Sequence, residues 1–353
     1  MISHELREQT EGVLNAYWHY NDEGKAYTPE TYIPFMKQYS MISKSYHKAA
    51  QDEEIKAALA ALFELEKQLV QTGDPSKLKI DLWEAGKVPD MRKNKDLKFT
   101  CDDEFQSPSR DPEGYIPGFV PYFIEDGRFR PVILVFAGGH RSNFSCGDQV
   151  CRFFNRNGYH AVLMGHRVGI QKLNYCLDLQ RAVRHLRYYK DRYRIDPNRI
   201  GAIGLSFGGI VVTSYIEKLC YDDKPSRYDS SYEDDEVDGM PGNLNAFLGI
   251  YTSSSPYLPR DVNQDYSQYP PSFLVIPGAD EMVKFQLSYA NDLIRHDVRT
   301  EVHLFDGGVH GFGLGDSSVR VNGIDGHIPA IALWPQLAAL WLERIFGQQT
   351  QER

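Results

Sequence analysis

Ser206 is bracketed by Gly204 and Gly208 in the run Asp196-Pro-Asn-Arg-Ile-Gly-Ala-Ile-Gly-Leu-Ser206-Phe-Gly-Gly-Ile210. A short apolar strand is predicted up to Leu205 and a helix from Ile210 to Leu219, with a helix ending at the Asp196-Pro197 turn before them. Ser206 therefore falls on a sharp strand-to-helix turn, where glycines are needed because the backbone folds back too tightly for side chains. Such a turn lifts the hydroxyl above the sheet edge and sets the Phe207 N–H at a helix N-terminus, where a developing oxyanion is favoured. Alone, the pentapeptide also fits a bland glycine-rich turn; the strand before it and the helix after it favour a nucleophile.

A serine hydroxyl is a weak nucleophile near neutral pH and needs a base, a group that orients the base, and donors for an oxyanion. The base is expected just past the last strand, where Val302-His-Leu-Phe-Asp-Gly-Gly-Val-His310-Gly-Phe-Gly places His310 in a glycine-rich loop. His303 falls inside that strand, where a structural role suits it, and His327, with Asp325 nearby, is the competitor. The acid is expected after the preceding strand, where Ser272-Phe-Leu-Val-Ile-Pro-Gly-Ala-Asp280-Glu-Met-Val supplies Asp280, with Glu281 one step away as the alternative. Asp306 comes too late and suits a turn. A second oxyanion donor is expected from Phe136-Ala-Gly-Gly-His140, through Gly138, Gly139 or the amide of His140.

The elements that would carry these residues alternate regularly. Pro131-Val-Ile-Leu-Val-Phe136 is an unbroken apolar run, as in a strand buried on both faces of a parallel sheet. After it come a helix over 147–157, a strand over 161–165, a helix over 175–193, the strand up to Leu205 and the helix over 210–219. Strands at 245–251, 272–276 and 301–305 follow, with helices over 283–296 and 331–346. Repeated strand–helix units imply an α/β fold with a mainly parallel sheet covered on both faces. Ahead of it, strands at 99–105 and 118–124 are expected, with Glu125-Asp126-Gly127 as a hairpin tip.

Residues 1–95 differ from the rest. Helical patterns at 6–18, 29–47 and from Asp52 to a stop at Gly73 and Pro75 make this a helical N-terminal extension, a cap or a dimer contact. It is dense in aromatics, among them Tyr17, Trp18, Phe35 and Tyr39, which fit a self-packed bundle better than a pocket lining. Residues 96–353 form the second unit, interrupted by an acidic insert at 221–243. Within it, residues 222–238 carry eight acids against Lys224 and Arg227, a pattern expected of a solvated loop.

The net charge of −9 disfavours a nucleic-acid surface, and no apolar run is long enough to span a bilayer. The first residues, Met-Ile-Ser-His-Glu-Leu-Arg-Glu, lack a basic start and an apolar core, and the five cysteines lack any Cys-x-x-Cys spacing. A soluble cytoplasmic protein with free thiols is expected. The histidines have no Cys or carboxylate partners at ligand spacing, so neither a metal nor another cofactor is implied.

Together these blocks resemble the α/β-hydrolase family. Within it they resemble the esterase/lipase group that includes acetyl-xylan-esterase-like and feruloyl-esterase-like carbohydrate deacylases. The residues that carry the likeness are Pro131-Val-Ile-Leu-Val-Phe-Ala-Gly-Gly-His, Asp178-Leu-Gln-Arg-Ala-Val-Arg-His-Leu-Arg, Ile195 through Gly209, Asp280-Glu-Met-Val and His310-Gly-Phe-Gly-Leu, so that it covers about residues 115–347. The resemblance implies Ser206 as nucleophile, His310 as base, Asp280 as its orienter, and Phe207 with Gly138 and Gly139 as the oxyanion donors. It implies a serine esterase acting through an acyl-enzyme on a small ester, an acylated sugar among them. A prolyl-oligopeptidase-type peptidase and a non-catalytic binding protein are the alternatives, and a homo-oligomer is compatible with each.

Overall fold

The computed structural model describes residues 3–18, 26–27, 31, 34–35, 38–39, 41–42, 51–73, 79–93, 114–138, 144–167, 174–219, 221–254, 264–316 and 329–349. Its centre is one eight-stranded sheet. In chain order the strands are β1 (Ile80–Asp81), β2 (Gly118–Tyr122), β3 (Arg130–Phe136), β4 (His160–Gly165), β5 (Ile195–Leu205), β6 (Ala246–Ile250), β7 (Ser272–Pro277) and β8 (Thr300–Phe305). They lie in the order β8-β7-β6-β5-β3-β4-β2-β1. The six from β8 to β4 run parallel, while β2 joins β4 and β1 joins β2 antiparallel.

The longer helices among the described residues are α1 (His4–Trp18), α2 (Asp52–Glu66), α3 (Phe144–Arg156), α4 (Asn174–Tyr188), α5 (Phe207–Lys218), α6 (Val283–Arg295) and α7 (Trp334–Gln349). The period of two along a strand splits the apolar run of β3 between two cores. Val132, Leu134 and Phe136 belong to the core that also holds Val183 of α4, Val211 of α5 and Leu293 of α6. Ile133 and Val135 belong to the opposite core, which also holds Phe154 of α3 and Trp334 and Trp341 of α7. Each fully buried large apolar side chain contributes about 1.5–3 kcal/mol, so neither face of the sheet tolerates a polar strand residue without a partner.

The expected strands are present wherever the structure describes them, but three local expectations are corrected. The turn at Glu125-Asp126-Gly127 is not the tip of a hairpin, because β2 pairs with β4 and leaves β3 between β4 and β5. An apolar strand such as β3 is buried best with parallel neighbours on both sides, which sends β2 outward. The helix expected over 175–193 breaks at Tyr189, and a short turn of helix, Lys190–Tyr193, ends at Arg194 in the left-handed region (φ 55°). Asp196-Pro197 then lies inside β5; Asp196 accepts hydrogen bonds from the Asn198 N–H and Arg199 Nε at 3.0 and 2.6 Å. The strand expected at 99–105 lies outside the described residues.

The extension holds its own small core of Leu6, Phe35, Tyr39, Ile42, Ile55, Leu59 and Leu62, so Phe35 and Tyr39 are packing residues. Helix α2 starts with a capping box between Gln51 and Glu54. Past the helices, the extension contributes β1, and Leu82, Trp83 and Met91 pack into the core beneath α4.

The acidic insert is the third correction. Three arginines one helical turn apart on α4, Arg181, Arg184 and Arg187, are buried, and the insert is folded over them. Arg181 pairs with Asp235 at 2.5 Å and with Asp238 at 2.9 Å, and its Nε donates to the Leu82 carbonyl. Arg184 Nη2 donates to the carbonyls of Tyr221 and Asp223, and Arg187 donates to those of Pro197, Pro241 and Asn243. Burial pushes the Asp235 carboxyl up, but the Arg181 guanidinium outweighs it and holds the group well below the ordinary carboxylate range. Planar five-donor guanidinium groups can satisfy several carbonyls at once, which is how a charged segment becomes a docked one.

Replacing Arg181 strands the fully buried Asp238, and breaking a buried pair from one side costs about 3–5 kcal/mol. Arg181→Met is expected to lose about that much in urea unfolding, whereas Asp235→Asn, at a half-exposed partner, is expected to lose under about 1 kcal/mol. Equal small losses in the two variants would contradict the docked insert.

Candidate active site

The site lies at the C-terminal ends of the parallel strands, where Gly138, Ser206, Thr252, Asp280 and His310 follow β3, β5, β6, β7 and β8. Ser206 follows β5 directly with φ 53° and ψ −120°, and α5 begins at the next residue. The left-handed backbone of a non-glycine residue is costly and persists only where surroundings impose it. The imposing contacts are backbone to backbone. A Cβ on Gly204 would stand 2.3 Å from the Gly209 Cα, and one on Gly208 would stand 2.2 Å from the Phe136 carbonyl oxygen. The glycines of the motif thus let α5 lie directly against the ends of β5 and β3.

Asp280 and His310 are carried by two loops tied to each other. After β7, the Gly278 N–H donates to the Gly307 carbonyl at 2.7 Å and the Ala279 N–H to the Gly308 carbonyl at 3.0 Å. Gly307 and Gly308 both take positive φ, 85° and 78°, which turns the chain after β8 back toward the β7 loop. The Trp334 Nε1–H of α7 donates to the Gly313 carbonyl at 3.0 Å and anchors the far side of the histidine loop.

The three side chains meet in one hydrogen-bonded chain. Ser206 Oγ lies 2.6 Å from His310 Nε2, and His310 Nδ1 lies 2.8 Å from Asp280 Oδ2. Asp280 Oδ1 accepts the Met282 N–H at 2.8 Å, and Oδ2 also accepts Gln286 Nε2 at 2.8 Å. The carboxylate is buried while the imidazole keeps about 30% of its side-chain surface. Burial pushes the Asp280 carboxyl up, but hydrogen bonds from His310 and Met282 outweigh it and hold the group below the usual carboxylate range. A carboxylate that stays ionised holds the imidazole with Nε2 toward the serine, the tautomer able to take its proton.

The alternatives separate cleanly. His303 faces Glu301 at 2.9 Å within β8, Glu281 and Asp306 are exposed, and His327 with Asp325 lies outside the described residues. Of the oxyanion candidates, Phe207 opens α5, so its amide belongs to a helix N-terminus. Gly138 lies against the serine, since a Cβ there would come within 3.1 Å of the Ser206 Cβ. Gly139 and His140 lie outside the described residues.

Two supports at the end of β6 had no sequence signal. Thr252 Oγ1 donates to the Ser206 carbonyl at 2.8 Å, bracing the strained turn from below. Tyr251, itself at φ 41°, sets its ring edge-on to His310 at 5.3 Å and to Phe312 at 4.6 Å. Gln286 is a third, two turns of chain past the acid. No spacing rule ties any of these to a catalytic serine, so geometry alone finds them.

The sequence matches no protein-family model and no curated protein sequence. The structure does have counterparts. It is similar to an acetyl ester-xyloside bifunctional hydrolase from Caldicellulosiruptor lactoaceticus, at 26% identity and TM-score 0.55, over 76% of this chain and 96% of that one. It is also similar to a carboxylesterase from Lactobacillus plantarum, at 20% identity and TM-score 0.53, over 67% and 96% of the two chains. A sugar hydrolase from Lactococcus lactis is a third, at 18% identity and TM-score 0.51, over 69% and 99%. The chain has the α/β-hydrolase fold. Within that fold it resembles acetyl-xylan-esterase-like and carboxylesterase structures. Among the described residues no helix is long and apolar enough to cross a membrane.

The Thr252 hydroxyl is the testable support. Thr252→Val keeps the shape and removes one of three donors to the Ser206 carbonyl, which also accepts the Gly209 and Ile210 N–H groups, a loss of about 1–1.5 kcal/mol. Turnover of a chromogenic ester is expected to fall about five- to tenfold in Thr252→Val and to stay within about twofold in Thr252→Ser. Equal rates in the two variants would remove Thr252 from the site.

Proposed function

We propose that the chain is a serine carboxylic-ester hydrolase that works through an acyl-enzyme, with acylated sugars of oligosaccharide size as the substrate class. The observation that carries this is the continuous chain from Ser206 Oγ through His310 to the buried Asp280, with contacts of 2.6 and 2.8 Å.

In the acylation half, Ser206 Oγ attacks the ester carbonyl carbon while its proton passes to His310 Nε2. The carbonyl electron pair moves onto oxygen, and the resulting oxyanion meets the Phe207 N–H and an amide of Gly138 or Gly139. Asp280 stabilises the imidazolium. When the tetrahedral species collapses, the C–O bond to the alcohol breaks and His310 returns the proton to the departing alkoxide. Water then repeats the sequence on the acyl-serine, giving up a proton to His310, and releases the acid with Ser206 restored.

The sugar part of the proposal is supported by two structural counterparts, an acetyl ester-xyloside hydrolase and a sugar hydrolase. A peptidase of the prolyl-oligopeptidase type would use the same three side chains, and the esterase counterparts favour ester over amide.

Ser206→Ala is expected to lower turnover of p-nitrophenyl acetate by at least about 10³-fold with an unchanged circular dichroism spectrum. A panel of acetylated xylo-oligosaccharides, feruloylated sugars, plain alkyl esters and aminoacyl-proline amides is expected to be led by the acetylated sugars. Retained turnover in Ser206→Ala would refute the nucleophile, and a panel led by the amides would move the chain to the peptidase class.

A further inference from the structure

Among the described residues Asp280 is hydrogen-bonded to one titratable side chain, His310, and its carboxylate would be free to swing about its last torsion if that contact were its one restraint. Three donors prevent this. Oδ1 takes the Met282 N–H at the start of α6, and Oδ2 takes both His310 Nδ1 and Gln286 Nε2, each at 2.8 Å. The Met282 bond is main chain and comes with the helix start. The Gln286 bond depends on the side chain, and Gln286 is 1% exposed within the first turns of α6.

The chemical type of this donor matters. A buried carboxylate needs its lone pairs occupied, and an arginine or lysine would occupy them more strongly. A cation there would also neutralise Asp280 and weaken its hold on a developing imidazolium. A carboxamide orients the carboxylate and leaves its full charge to face His310. The amide carries no second duty that would confuse its removal, since Gln286 Oε1 has no hydrogen-bond partner among the described residues.

We propose that Gln286 is a positioning residue for the ester hydrolysis: its neutral Nε2–H donor fixes the Asp280 carboxylate so that Oδ2 points at His310 Nδ1. This rests on Ser206, Asp280 and His310 being the catalytic residues. Gln286 does not touch the reacting atoms and acts through Asp280.

Two variants test it. Gln286→Met keeps length and apolar volume and deletes the donor; Gln286→Glu keeps shape and sets a second carboxylate beside the first. Two readouts are taken on full-length protein. One is kcat and KM for p-nitrophenyl acetate, and the other is the low-field proton resonance of His310 Nδ1–H in the resting protein, which needs no substrate. In Gln286→Met, kcat is expected to fall about tenfold with KM within about twofold, as for loss of a hydrogen bond to a charged group. The low-field resonance is expected to shift or broaden. In Gln286→Glu the fall in kcat is expected to be larger, because like charges at hydrogen-bond distance disfavour each other. A purely structural glutamine would lower the unfolding temperature of both variants while kcat per folded molecule and the resonance stayed as in the wild type, and that result overturns the proposal. A resonance that shifts in Gln286→Met while the wild-type protein itself turns over no ester would sink the esterase assignment, and with it the role of Gln286 in ester hydrolysis.

Discussion

The structure depends on how closely α5 can approach the ends of β5 and β3. At that crossing, backbone meets backbone with no room for a methyl group, as the 2.2–2.3 Å positions of hypothetical Cβ atoms on Gly204 and Gly208 record. The tight crossing forces Ser206 into a left-handed conformation and makes it the tip of the turn. The strain is held by elements that cannot relax independently, since β5 is flanked by β3 and β6 and both sheet faces are filled. A hydroxyl placed this way is held at the end of β5 within reach of His310, and the next residue opens α5.

A second constraint follows from the first. If the serine is rigid, the base must be brought to it, and the loops after β7 and β8 are zipped together by main-chain hydrogen bonds before either side chain is considered. Asp280 is then buried and His310 stays partly open, which separates their tasks. In the proposed mechanism the buried charge orients, and the accessible imidazole exchanges protons with a substrate. Away from the site, the arginine face of α4 holds the insert down over Trp83 and Leu82 beside β1.

Much of this was legible in the sequence. The apolar run 131–136, the strand–turn–helix around Ser206 and the glycine loop before His310 each combine a periodicity with a breaker, and such patterns survive folding because they are local. Asp280 could be placed because it follows a strand in the expected order. The misreadings share a cause. The 125–127 turn looked like a hairpin because sequence neighbours were assumed to pair, whereas strand order is settled by which strands can be buried on both faces. The acidic run at 222–238 looked solvated because its counter-charges, Arg181 foremost, lie on a helix some fifty residues earlier. Thr252, Tyr251 and Gln286 were invisible for the related reason that their partners are set by tertiary contact alone.

The central claim is that a single activated hydroxyl, that of Ser206, carries the chemistry. It is tested most directly by treating the native protein with a fluorophosphonate, which phosphonylates an activated serine, and locating the adduct by peptide mass spectrometry. One adduct per chain, on the peptide containing Ser206 and absent in His310→Ala, is the expected result. A folded wild-type protein that takes up no phosphonyl group, or takes it up at a serine elsewhere, would contradict it.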